Sequence, residues 1–348
     1  MISMQTREEH SRDQIRKVAP MKALIVGNAE GLFTVTDVPK PTPGPGEVLV
    51  KIHASGVNPL DTKIWAGAAA HARHPLPAVL GIDLAGTIEA VGAGVETFSI
   101  GDEVYGMTGG VGGVQGSLAD YAAVDSRLIA LKPANLSMRE AAALPLAVIT
   151  AWEGMIDRVD VKKGETALVI GAAGGVGHIA LQLAHARGAK TFGVDRAEAA
   201  DYLGSLGTIP IDRNTAVGEY VRDLTGGQGF DVVYDCVGAL NDAFLAVRRF
   251  GRVTSSLGWS THSLAPLSFR AATYGGVFTL APLLTGEGRE AHGRILGEAT
   301  RLAEAGQLMP RLDGRRFAFD QTGDAHALVR EGSTRGKVVV EIIADHPS

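Results

Sequence analysis

A chain of 348 residues exceeds the ~250 to 300 residues at which a single hydrophobic core stops growing, so two domains are expected. Its 45% hydrophobic and 20% charged residues exclude disordered and fibrous classes, and a net charge of −5 offers phosphate backbones no general attraction, so nucleic acid is not an expected partner. Cys236 is the only cysteine, which rules out an intramolecular disulfide and a cysteine-based zinc cage and fits a cytoplasmic location.

Residues 1–20 are polar, with Arg7, Glu8, Glu9, His10, Arg12 and Asp13, and read as a disordered N-terminal arm without the apolar region of a signal peptide. No run of about 18 uncharged apolar residues follows, so no membrane span is expected. From Met21 short apolar runs alternate with Gly and Pro: Lys22 to Val26, Glu47 to Ala54, Ala85 to Val91 and Glu103 to Tyr105. That spacing predicts a β-rich, barrel-like unit. Pro39, Pro41, Pro43, Gly44, Pro45 and Gly46 make a rigid loop within it.

At Ser137 the texture changes. Met138 opens a helix behind a serine N-cap, with Glu140 in the capping-box position. Pro145 marks a break, and Ala147 to Ile156 reads as a further helix. Strands and helices then alternate: strand Thr166 to Ile170, helix Val176 to Arg187, strand Thr191 to Val194, helix Ala197 to Leu206, strand Asp231 to Tyr234, helix Ala239 to Arg249 and strand Gly251 to Ser255. Such crossovers imply a parallel, doubly wound sheet. The last segment, with helix Ala291 to Ala305 and strands Gly314 to Phe319 and Lys337 to Ile343, is expected to fold back on the first domain.

The segment from Ala167 to Ala180, Ala-Leu-Val-Ile-Gly-Ala-Ala-Gly-Gly-Val-Gly-His-Ile-Ala, joins a buried strand, a glycine turn and an amphipathic helix. Gly174 lets backbone approach a pyrophosphate, Gly177 lets the helix pack against the strand, and the helix N-terminus offers free N–H groups; Ala172 stands where a first glycine is usual. Asp195 ends the next strand, at the distance expected of a ribose-binding carboxylate. Asp195 favours NADH, whereas Arg196 beside it suits the 2′-phosphate of NADPH, so both cofactors stay open.

Other chemistries lack their residues. None of Tyr105, Tyr121, Tyr202, Tyr220, Tyr234 and Tyr274 has lysine four positions later, so the short-chain dehydrogenase pair is absent. No Gly-x-Ser-x-Gly elbow, His-Glu-x-x-His helix or P-loop occurs. His71 and His74 lie in a proline-rich loop and read as exposed residues rather than metal ligands, and Cys236 ends a buried strand as a small apolar residue.

Several stretches together resemble the zinc-free quinone oxidoreductase branch of the medium-chain dehydrogenase/reductase superfamily, which includes zeta-crystallin-like enzymes. They are Gly56-Val-Asn-Pro-Leu-Asp-Thr-Lys, Val79-Leu-Gly-Ile-Asp-Leu-Ala-Gly, Val91-Gly-Ala-Gly-Val, Gly101-Asp-Glu-Val-Tyr-Gly, Gly116-Ser-Leu-Ala-Asp-Tyr, Ala142-Ala-Leu-Pro-Leu, the glycine turn, Asp235-Cys-Val-Gly and Gly336-Lys-Val-Val. The resemblance implies an α/β plus β fold: a GroES-like β-barrel catalytic domain (21–147 and 285–348) around a Rossmann domain (148–284), with the ligands between them. Zinc-dependent relatives hold their metal with Cys, His and Cys; Asn58, Ile82 and Leu146 stand at those places here, and the structural zinc loop is also missing, so no zinc is expected.

Without a Lewis acid an alcohol is hard to deprotonate, whereas a quinone or enone accepts hydride readily, so reduction is the easier direction. The resemblance places Asn58 and Asp61 beside the nicotinamide, with Thr62 a further catalytic hydroxyl; the same residues also suit a capped turn before a helix. Lysine stands at position 63, where the family often has tyrosine. Thr150 resembles a position on the nicotinamide side. Val237, Gly238, Leu257 and Gly258 follow strands at their carboxyl ends, where such sheets bind ligands, and otherwise serve as core. Lys337 either reaches a phosphate or is a solvated lysine at a strand edge.

Ala66, Leu118 and Val277 are read as apolar cleft walls. The stretch Thr273 to Leu280 is a β-prone edge through which a homodimer is expected, as the family commonly pairs. The leading expectation is an NAD(P)H-dependent reductase of quinones or enones. An enoyl-thioester reductase and a non-catalytic, crystallin-like dinucleotide-binding protein are the alternatives.

Overall fold

The computed structural model describes residues 19–343. The expected N-terminal arm lies outside the described residues, apart from its last two positions. Six parallel strands form one sheet, in the spatial order Ile209–Asp212, Lys190–Asp195, Thr166–Ile170, Phe230–Asp235, Val247–Ser255 and Thr273–Gly276. Alternate side chains of its central strands enter different cores. Ala167 and Val169 face one cluster with Val232 and Tyr234, while Leu168 and Ile170 face the other with Phe230 and Val233. Both faces are therefore covered, as a parallel sheet requires.

The strand order reverses between Thr166–Ile170 and Phe230–Asp235, which opens a crevice at their carboxyl ends. Facing it is a seven-stranded sheet containing Glu47–Val57, Asp83–Val91, Glu103–Met107, Tyr121–Asp125, Ile129–Leu131, Phe317–Ala318 and Val338–Glu341. Strand Val338–Glu341 pairs antiparallel with Glu47–Val57, so residues from the two ends of the chain become neighbours. Helix Arg289–Glu304 presents Ile295, Leu296, Ala299, Leu302 and Ala303 as one buried stripe, and the Tyr105 hydroxyl donates to the Leu296 carbonyl at 2.7 Å.

Three expectations need correction. The helix expected to Arg249 is Leu240–Ala246; Val247 already pairs with Phe230, and the register shift before Arg252 loops out Phe250 with φ 60°. Sheet pairing outweighs local helical preference there. The helix expected over Ala147 to Ile156 is Pro145–Trp152 followed by a π-helical turn, Glu153–Arg158, and Pro145 starts the helix rather than merely ending its predecessor. Gly154 in that turn lies so close to Tyr234 that a Cβ would come within 2.5 Å of the ring. The strand expected over Gly314 to Phe319 shortens to Phe317–Ala318.

His326 lies between Phe33 and Trp65, with ring centroids at 4.8 and 6.1 Å; its Nδ1 bonds the Thr322 carbonyl, and its Nε2 is buried without a partner. Burial lowers its pKa to about 4. Between about pH 4 and the unfolded value of 6.5 the unfolded chain binds the extra proton, so stability must fall as pH drops through this window. We expect His326→Phe to flatten the acid-side slope of stability by about 1 kcal/mol per pH unit, measured by urea unfolding between pH 7 and pH 5.

Candidate active site

Strand Thr166–Ile170 ends in Gly171, which takes φ +81° and could not carry a side chain, since its Cβ would lie 2.3 Å from Val237 Cγ1. The chain then turns into helix Gly177–Ala186. A Cβ on Gly177 would meet the Gly171 carbonyl oxygen at 2.1 Å, so helix and strand touch through backbone. Gly174 is different: its Cβ would meet only the Gly171 oxygen, at 3.2 Å, and the residue is exposed. The turn is a shallow backbone bowl below a helix N-terminus whose cap, Val176, makes no side-chain hydrogen bond. A pyrophosphate fits such a cradle.

Asp195 braces the bowl. Its Oδ2 accepts the Ala173 N–H and its Oδ1 the Arg196 N–H, both at 2.8 Å. Ala172 is buried, with its N–H on the Val194 carbonyl at 3.2 Å, and Arg196 is exposed beyond the strand end. Arg311 was not foreseen from sequence. Its guanidinium stacks 3.8 Å above the Tyr202 ring, and its Nη1 donates to the Ala173 carbonyl at 3.4 Å, which sets a positive charge on the rim. Its distance along the chain from the glycine turn left no sequence signal.

On the far side of the crevice, buried Asp235 organises the next two loops. Its Oδ1 accepts the N–H groups of Val237 and Ala239, and its Oδ2 accepts the Ser255 hydroxyl, whose oxygen takes the Leu257 N–H. Val237 is 57% and Leu257 38% exposed, so neither is core, and both present apolar surface at the strand ends. Gly238 takes φ +85°, and a Cβ on Gly258 would lie 2.3 Å from the Tyr274 hydroxyl. Leu118, expected as a cleft wall, is instead fully buried in the core; Val277 is 9% exposed and Ala66 half-buried.

Asn58, Asp61, Asp83 and Lys337 form a buried polar cluster between the two sheets, 0–6% exposed. Asn58 caps helix Pro59–Trp65, and its N–H donates to Asp61 Oδ2 at 2.9 Å, so the capped-turn reading of this pair holds. Asn58 also reaches further: its Nδ2 donates to Asp83 Oδ2 at 3.0 Å, and its Oδ1 accepts from Lys337 Nζ. Asp83 Oδ1 accepts the Leu146 N–H at 2.9 Å. Thus the places compared with metal ligands, at 58, 82 and 146, are joined through the neighbouring carboxyl of Asp83, while Ile82 itself is buried core.

Burial drives the titration of this cluster. Desolvation pushes Asp61 up to about 7, aided by Asp83, against the pull of hydrogen bonds from Asn58 and the Lys337 charge. Asp83 rises to about 6 for the same first reason, and desolvation lowers Lys337. The solvated alternative for Lys337 is overturned, because it is only 6% exposed; its Cδ lies 3.2 Å from where a Gly175 Cβ would stand, and its amine turns to Asn58. Thr62 and Thr150 use their hydroxyl protons within their own helices, on the Pro59 and Leu146 carbonyls.

His71 and His74 are half-buried rather than exposed: the His71 ring lies tilted against Trp259 at 4.7 Å, a contact between the two halves of the molecule, and His74 Nε2 lies 3.3 Å from the Val79 carbonyl. Among the described residues no group of three His, Cys, Asp or Glu is arranged to hold a metal ion. Burial raises the Cys236 thiol pKa well above its ordinary value, which disfavours the thiolate.

The family described as Alcohol dehydrogenase GroES-like domain matches residues 44–134, and Zinc-binding dehydrogenase matches 207–340. The chain is 36% identical to 2-methylene-furan-3-one reductase of Solanum lycopersicum over 91% of its own length and 77% of that protein. It is 33% identical to the NADPH-dependent alkenal/one oxidoreductase, chloroplastic, of Arabidopsis thaliana, over 84% of this chain and 72% of that one. The crystal structure of an alcohol dehydrogenase superfamily protein from Novosphingobium aromaticivorans superposes with TM-score 0.91 and 51% identity, covering 93% of this chain and all (100%) of the other. With a glycine bowl facing a buried Asn58 cluster across the interdomain crevice, the chain belongs to the medium-chain dehydrogenase/reductase superfamily.

Proposed function

We propose that this NAD(P)H oxidoreductase reduces quinone-like and enone-like acceptors without zinc. The observation that carries the reading is the buried cluster: where a metal-dependent relative needs ligands, Asn58 and Asp83 are hydrogen-bonded to each other and to backbone. The bowl at 172–177, with Asp195 and Arg196 at its rim, holds the dinucleotide in this reading, while Val237, Gly238, Leu257, Gly258 and Thr150 line the nicotinamide end. The bound reduced nicotinamide supplies hydride. Protein groups position the acceptor and exclude water, and Asn58 orients the acceptor's polar end.

Among the described residues no helix is long and apolar enough to cross a membrane, and the single cysteine suits a reducing, cytoplasmic compartment. The exposed edge strand Thr273–Gly276 is the surface we assign to a homodimer.

The test is to follow oxidation of NADH and NADPH with a panel of quinones and enones, and to assay the same preparation for zinc. No turnover with any acceptor sinks the catalytic reading; stoichiometric zinc sinks the metal-free one. For the cofactor, we expect Asp195→Ser to shift the NADPH-to-NADH ratio of kcat/KM toward NADPH by about tenfold, because a fixed carboxylate repels a 2′-phosphate. An unchanged ratio would show that Asp195 serves only as the brace for Ala173.

A further inference from the structure

Reduction of an enone needs one hydrogen as hydride and a second as a proton, and the chain must provide or admit the second. We propose that Asp61 carries that proton and gives it to the α-carbon of the acceptor, while Asp83, Asn58 and Lys337 hold the cluster's charge in balance. The inference rests on the enone reading of the site.

Charge counting is the first support. Two carboxyl groups and one amine are buried together, so full ionisation leaves one uncompensated negative charge in the interior. One bound proton cancels it, and an unpaired buried charge is costly. Hydrogen-bond inventory then says which carboxyl holds the proton. Asp83 accepts Leu146 N–H on one oxygen and Asn58 Nδ2–H on the other, the pattern of an ionised carboxylate. Asp61 accepts only the Asn58 N–H on Oδ2, and its buried Oδ1 has no partner. A protonated Oδ1 is a donor awaiting an acceptor.

Placement is the second support. The Lys337 chain runs from the glycine bowl at Gly175 to Asn58, so the acid cluster stands next to the cradle for the dinucleotide. The other charged groups nearby do not compete. His178, on the far side of Lys337, is held neutral by burial, with its pKa near 4; His326 and Arg330 reach helix Pro59–Trp65 from the Trp65 side; Lys63 points to solvent. The buried phenols of Tyr105 and Tyr234 spend their protons on the Leu296 and Thr150 carbonyls. Asp61, raised to about 7, is half-protonated at neutral pH, which suits a general acid.

The step balances. Hydride forms a C–H bond at the β-carbon, and the displaced π pair moves toward the carbonyl as an enolate. The Asp61 O–H bond breaks, its proton forms the α-carbon C–H bond, and its electron pair stays on the carboxylate, opposite Lys337. Water restores the proton afterwards. A quinone needs this less, because its product oxyanion takes a proton directly from water.

Asp61→Asn, which still accepts the Asn58 N–H, is the test, read in two ways. Turnover of an enone is expected to fall about 100-fold more than turnover of a quinone, and the decline of enone kcat above neutral pH is expected to disappear. Infrared titration of ligand-free Glu153→Gln protein, which lacks the other carboxyl that burial raises to about 7, is expected to show a protonated-carboxyl band with a midpoint near neutrality, absent once Asp61→Asn is added. An unchanged enone-to-quinone ratio, or Glu153→Gln protein with no such band, overturns the inference, and the second measurement needs no folded Asp61 variant. Loss of all turnover in the wild type would instead sink the functional reading, with the infrared result still deciding whether Asp61 holds a proton.

Discussion

Gly174→Val should weaken dinucleotide binding by at least about 100-fold while leaving the melting temperature within a few degrees of wild type, and Gly177→Val should fail the other way, by losing the fold. The difference lies in what each added side chain would strike. At 174 a Cβ meets one carbonyl oxygen at 3.2 Å and otherwise projects into the bowl. The cost is therefore borne by a bound pyrophosphate, which needs backbone at close range. At 177 the Cβ would overlap the Gly171 oxygen at 2.1 Å and the Ala172 Cα at 2.9 Å, so the helix must lift from the strand. Forced overpacking costs about 1–3 kcal/mol and often more, and Ala172, Ile179 and Ala180 belong to the large buried cluster that would be pried apart. Calorimetric titration with NADPH and NADH, beside thermal unfolding, separates the two effects. Wild-type affinity in Gly174→Val would remove the pyrophosphate from this turn.

Asp83→Ala should be strongly destabilising, at about 3–5 kcal/mol, because it strips one partner from a buried ionic cluster. It leaves the Leu146 N–H and Asn58 Nδ2 without acceptors and Lys337 without its nearer compensation. Asp83→Asn retains an acceptor for Leu146 and should cost less. The pH dependence has a definite sign. Both carboxyl pKa values are raised from 3.8, Asp83 to about 6 and Asp61 to about 7, so the native state holds more protons than the unfolded chain between pH 4 and 7. Their contribution to stability is complete below about pH 4 and is lost as pH rises through 6 to 7. Asp83→Ala should reduce that alkaline loss, which urea unfolding at pH 5 and pH 8 would measure. An equal slope in both proteins would mean that Asp83 is ionised throughout.

Chemistry that is contiguous in the chain was legible before any coordinates. The strand, glycine turn and helix at 166–186 announce themselves by composition and order, and Asn58 with Asp61 three positions on reads as a cap from spacing alone. The bonds that make a site of them were not legible. Asp83 meets Leu146 across 63 positions and Lys337 meets Asn58 across 279, and no local pattern encodes either encounter. Lys337 accordingly reads from sequence equally as a phosphate ligand or as a solvated lysine at a strand edge, and pairing of Val338–Glu341 with Glu47–Val57 is what buries it. Helix ends misjudged at Arg249 and Ile156 share a cause: the sheet pairing of Val247 and the close approach of Gly154 to Tyr234 are tertiary effects that outweigh propensity.

The late arrival of strand Val338–Glu341 bears on synthesis. The sheet of the dinucleotide half is complete at Thr273–Gly276, about sixty positions before strand Val338–Glu341, so during translation Asn58 waits for Lys337 until that later strand leaves the ribosome. A chain stalled before it would present a finished nucleotide cradle with an unpaired acid cluster, able to bind cofactor yet unable to close its chemistry.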